Sequence, residues 1–192
     1  SASQGQNPFL PHLKEYPLKA RLSQQLILYW YFHADGKRSL RVCDLEGNLL
    51  SETDRIDGLP CNPEWWGSGF LQEDAILLWR LETERDTAGN YLYTTHFTLY
   101  DPSLQIIKSL DIPHGVDPYS TLRRGLEDRT FYVIGSTSHE GATAIKEQVI
   151  EVRLDEGTYK VLAEEEFIVQ MQPEKDRLYF LNTKDTIREV LR

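Results

Sequence analysis

Few of the residue types and spacings from which chemistry is usually read occur in this sequence. Its two cysteines, Cys43 and Cys61, form no CxxC pair and belong to no Cys/His cluster with zinc spacing. They read as two free, partly buried thiols, with a disulfide as the alternative that an even count permits. The five histidines, His12, His33, His96, His114 and His139, make no HxH, HxxxH or HExxH pattern, so no metal site is expected. His33 and His139 fall in polar hairpins, where solvent is the expected surrounding. His96 sits in strand register between Thr95 and Phe97. There is no GxSxG elbow, and "GSTSHEG" reads as a polar loop. "LDEGT" has too few spaced oxygens for a calcium loop, and Glu164-Glu165-Glu166 reads as a solvated loop. Neither a catalytic residue nor a cofactor follows from these patterns.

No apolar stretch reaches the roughly 18 residues that span a membrane as a helix. No signal peptide is visible, and the opening "SASQGQNP" is small and polar, like a tag remnant or a mature N-terminus. Positive charge is also short. The chain has 21 Lys and Arg against 30 Asp and Glu, a net charge of -9. A phosphate backbone or an anionic membrane surface is repelled by such a chain, which argues against nucleic acid as a partner.

What is present points to strands. Aromatics make up 11% of the 192 residues, with ten Tyr and four Trp, and aromatic residues favour strands. Four dense apolar runs punctuate the chain: "LILYWYF" from Leu26, "AILLWRL" from Ala75, "TFYVIG" from Thr130 and "RLYFL" from Arg177. Each is too short for a typical helix and does not alternate, so each is expected to be a strand with both faces covered. After the first three runs comes a strand that does alternate, "LRVCDL", "THFTLY" and "VIEVRL". A tight turn and a further strand follow each time. Leu45, Tyr100 and Leu154 end the alternating strands and lie about 55 and 54 residues apart. Trp30, Leu78, Val133 and Phe180 sit mid-run, about 48, 55 and 47 apart. An acidic turn precedes three of the runs, at Glu73-Asp74, Glu127-Asp128 and Glu174 to Asp176.

A repeat of this length built from strands is the pattern of a propeller blade or a related β-array. "QPEKDRLYF" and "SLRVCDLEGNLL" resemble the "sPDGkxLyf" and "vyviDlxtGkv" phrases of the TolB-like and YVTN/WD-like β-propellers. The resemblance covers most of Leu26 to Arg192. Without Gly-His and Trp-Asp pairs it does not extend to a true WD40 repeat. It implies an all-β chain, a β-propeller-like array of about four antiparallel blades or part of a larger propeller. The alternative is a twisted β-sandwich or barrel. Residues 26–192 form the expected repeat domain. Residues 1–25 form an N-terminal arm that supplies either a ring-closing strand, through "PFLPHLKEYPLKA", or a short helix within Leu13 to Gln25. Three prolines restrict that arm to an edge position. The family offers no catalytic residue to carry over. Its members are often exported, which together with the N-terminus favours an extracytoplasmic compartment, secreted or periplasmic, over an intracellular one.

Two connections carry the candidate binding residues. "GLPCNPEWWGSG" holds Trp65 and Trp66 among glycines and prolines. "DIPHGVDPYSTLRRG" holds His114, Tyr119 and the consecutive Arg123 and Arg124. Such connections reach the face of a propeller where partners bind, and an exposed Trp can clamp a peptide or stack on a sugar. The expected function is a non-catalytic binding domain that recognises a protein or peptide through these loops. The alternatives are a carbohydrate-binding module or a glycan-acting hydrolase using Trp65 and Trp66. The strand-dominated reading predicts a far-UV circular dichroism spectrum with helix well below about a quarter. A helix content above that level, closer to the roughly one third of ordinary mixed domains, contradicts it.

Overall fold

The computed structural model describes residues 17–120, 122–137, 146–166, 168–174, 177–182 and 187–191. Among these residues there is no helix, and so none long and apolar enough to cross a membrane. The chain divides into two compact units, Ser1–Pro63 and Glu64–Arg192.

The first unit contains one four-stranded antiparallel sheet. Its strands follow chain order: β1 (Pro17–Leu22), β2 (Leu26–Phe32), β3 (Arg38–Asp44) and β4 (Leu49–Thr53). A short ladder of β5 (Arg55–Ile56) and β6 (Leu59–Pro60) completes the unit. The arm expected before residue 26 is therefore not helical where it is described. Residues 17–22 pair with β2 as the first strand of this sheet, while residues 1–16 lie outside the described part.

The second unit contains three further antiparallel meanders. The second sheet consists of β7 (Trp66–Phe70), β8 (Ile76–Arg85), β9 (Tyr91–Tyr100) and β10 (Ile106–Ile112). The third consists of β11 (Arg123–Arg124), β12 (Thr130–Ser136), β13 (Glu147–Arg153) and β14 (Thr158–Glu165). The fourth has three strands, β15 (Ile168–Pro173), β16 (Arg177–Asn182) and β17 (Ile187–Leu191). Among the described residues none of the sheets closes on itself, as the sheet of a barrel does.

One local device recurs at the hairpins. At Asp44, Asp86 and Asp101 the backbone N–H donates to the carbonyl four residues on, each time at 3.0 Å. The aspartate Oδ1 accepts the N–H of that same residue, at 2.7 Å from Asn48, 2.8 Å from Asn90 and 2.9 Å from Gln105. The residue before it turns left-handed, with φ of 88° at Gly47, 89° at Gly89 and 59° at Leu104. An aspartate that bonds its own turn and a left-handed residue at the fourth position are the requirements of this hairpin. Leu104 meets the second without being glycine, an uncommon conformation for a branched side chain.

Strand alternation decides how the second unit packs. Leu77, Trp79, Phe97 and Leu99 leave the second sheet on one side and form a single buried cluster with Phe131, Val133, Ile150 and Val152 of the third. Phe97 and Phe131 meet there edge to face, with centroids 5.1 Å apart. Tyr132 and Val149 leave the third sheet on its opposite side and pack with Ile168, Met171, Leu178 and Phe180 of the fourth. The expectation of two dry faces holds for β8 and β12, where runs of consecutive residues are buried. It does not hold for β2 and β16, which alternate buried with half-buried residues. The strands expected to show a wet face are also drier than their pattern suggested. Thr98 and Glu151, on the polar side of β9 and β13, are both buried. Chemical alternation in these strands marks which face holds a polar network, not which face meets water.

Close packing in the second sheet leaves Gly67 no room for a side chain. A Cβ there would lie 1.9 Å from Cε2 of the buried Trp79, directly opposite on β8. At Gly69 the nearest atom would be Leu122 Cδ2 at an ordinary 3.8 Å. Gly67→Ala should therefore lower the unfolding free energy by about 1–3 kcal/mol, the usual cost of overpacking. Gly69→Ala should be neutral or gain up to about 1 kcal/mol from reduced chain entropy in the unfolded state. Chemical denaturation of the two variants reads the difference, and equal effects would refute the packing assigned to Trp79.

Candidate functional site

The residues expected to bind a partner lie in the second unit, where the chain leads into β7 and β11. Trp65 and Trp66 behave as opposites. Trp65 precedes the strand and is 51% exposed, whereas Trp66 opens β7, pairs opposite Arg80 and is fully buried. The glycines and prolines of the tryptophan stretch read as a loop. Instead Trp66, Gly67 and Gly69 belong to the ladder with β8, and Trp65 ends the turn before it. The glycines serve the packing of Trp79, not a turn.

The second connection is stitched down along most of its length. The Thr95 hydroxyl donates to the His114 carbonyl at 2.6 Å and accepts the Val116 N–H at 2.9 Å. Gly115 exchanges two backbone hydrogen bonds with Ser136, at 2.8 and 2.9 Å. The imidazole of His114 is buried and meets Tyr159 edge-on, with centroids 5.2 Å apart. Burial holds its pKa below the ordinary histidine value, against a hydrogen bond with Gln148 that acts the other way. Gln148 in turn donates to Glu164 at 3.0 Å, and Glu164 is paired with Lys146. Further along, Asp117 caps a tight turn. Its carboxylate accepts the Tyr119 N–H at 2.7 Å and its carbonyl accepts the Ser120 N–H at 2.9 Å. This turn holds Tyr119 outward, 67% exposed.

Trp79 links these two connections. Its ring covers Gly67, two residues from Trp65. Its Nε1 donates to the Asp117 carbonyl at 3.1 Å, two residues from Tyr119. The exposed Trp65 and Tyr119 thus flank one buried pillar.

The paired arginines reach in two directions. Arg123 Nε donates to the Met171 carbonyl on β15 at 3.2 Å. Arg124 Nε donates to the Phe70 carbonyl on β7 at 2.8 Å, and its Nη1 lies 3.2 Å from Glu73 Oε1. Successive residues on β11 therefore tie the third sheet to its two neighbours. Each guanidinium remains partly exposed.

Three polar clusters went unrecognised in the sequence, because their members come from different strands. In the first sheet the Ser39 hydroxyl donates to Glu52 Oε1 at 2.5 Å, and His33 Nε2 lies 2.9 Å from Ser39 Oγ and 3.2 Å from the same carboxylate oxygen. A serine triad needs the acid and the hydroxyl on different ring nitrogens. Here both meet Nε2, and Ser39 is buried, so the group does not make a nucleophile. His33 is accordingly half-buried and bonded, not a solvent-facing hairpin residue. Arg41 Nε sits 2.9 Å from Glu52 and its guanidinium stacks 3.5 Å from the Tyr31 ring centroid. Burial opposes the Glu52 charge, but the Ser39 and Arg41 contacts outweigh it and hold its pKa below the ordinary value. In the second sheet His96 lies between Glu82 and Asp111, at 2.8 Å from each. Its hydrogen bond, with the charge of Arg80, lowers the Glu82 pKa. In the third sheet the buried Glu151 accepts the Tyr132 hydroxyl at 3.0 Å and the Arg153 Nε–H at 2.9 Å.

Both cysteines are free and buried. Burial pushes the Cys61 thiol up to about 12, which leaves almost no thiolate at neutral pH. Among the described residues no group of three His, Cys, Asp or Glu is placed to hold a metal ion. His139 lies outside them.

The sequence matches no protein-family model. Nor does any curated protein sequence match it significantly.

A histidine whose folded pKa is lowered contributes stability that is present above its unfolded pKa, about 6.5, and is lost as pH falls through the folded value. His114→Gln should therefore reduce the fall in unfolding free energy between about pH 7.5 and 5.5. Denaturation curves at the two pH values test this. An unchanged difference would show that His114 titrates alike in both states.

Proposed function

We propose that the chain is a non-catalytic binding domain of the β-propeller-like type, which recognises a protein or peptide at the two connections carrying Trp65 and Tyr119. The meander order of the sheets supports the architectural part. So does the way the third sheet, β11 to β14, is covered on both faces by its neighbours in the chain. The observation that carries the binding part is the display of two large aromatic side chains, 51% and 67% exposed, on backbone fixed by the same buried tryptophan. Rigid, exposed Trp and Tyr give large contact area at small entropic cost, the profile of interface hot spots. Because Trp66 is buried, the tryptophans do not form one joint surface, which weighs against a sugar clamp made of the pair.

Selection from a displayed peptide library against the whole chain tests the proposal. Trp65→Ala and Tyr119→Ala should keep the parental melting temperature, because neither side chain is core. Each should weaken a selected peptide by about 30-fold, the effect of a hot-spot loss near 2 kcal/mol. Peptide binding indifferent to both substitutions would overturn the site. If a glycan array gives ligands sensitive to Trp65→Ala and the library gives none, the carbohydrate module replaces the peptide reading.

A further inference from the structure

We draw no further inference here: the strongest candidate, the buried His114 imidazole beside Tyr159 on the connection into β11, belongs to the site already described, and its titration adds nothing to the dependence of stability on pH that its burial sets.

Discussion

Side chains alternate across a strand, so Phe131 and Val133 leave the third sheet on one side while Tyr132 and Ile134 leave it on the other. All four are apolar or aromatic, and the sheet therefore needs a neighbour on each face. The second sheet supplies one and the fourth supplies the other. The same requirement explains why the apolar runs of β8 and β12 do not alternate. The core of the second unit is accordingly a series of sheet-to-sheet seams. A change at any seam, such as a methyl group added under Trp79, acts on two sheets at once.

Dry faces make unpartnered polar groups costly, and the charged groups found there are tied to partners. Glu151 is buried at a seam, where an unpaired carboxylate would be strongly unfavourable. Tyr132 supplies a hydroxyl from β12, and Arg153, two residues along β13, supplies a guanidinium. Arg123 and Arg124 solve a related problem on the first strands. The carbonyls of Phe70 and Met171 accept those guanidinium N–H groups. An arginine suits this role because its donors are fixed in a plane and stay charged at any ordinary pH.

Strand content was legible because it depends on local features. The dense runs became β2, β8, β12 and β16. The recurrent aspartates at 44, 86 and 101 begin hairpins that can be read from an Asp and a left-handed residue three positions later. The first strands were harder. β11 has two residues, both arginines, and its sequence carries no strand signal. "WGSG" resembles a loop because glycine usually marks one, yet Gly67 is glycine because a tryptophan on the neighbouring strand occupies its Cβ position. Charge was misleading in a similar way. Exposed arginines and a loop histidine suggest partner contact, but whether a guanidinium finds a carbonyl, or an imidazole a tyrosine ring, depends on strands more than forty residues away. The Ser39, His33 and Glu52 cluster was invisible for the same reason, since register across three segments brings it together.

The passage from core to surface runs through Trp79. One edge of its ring fills the space that Gly67 leaves, and its N–H fixes the Asp117 carbonyl. Asp117 then closes the turn that points Tyr119 outward. Trp65 ends the turn that leads into the ladder, immediately before the buried Trp66. Each exposed ring is thus attached to backbone whose position was fixed when the seam formed. Little further backbone ordering is needed to bring these rings against a partner, so their contact area is opposed mainly by the loss of their own two side-chain torsions. Under the proposed function, the buried tryptophan that limits what can be substituted in the second sheet is also what holds its exposed neighbours ready for a partner.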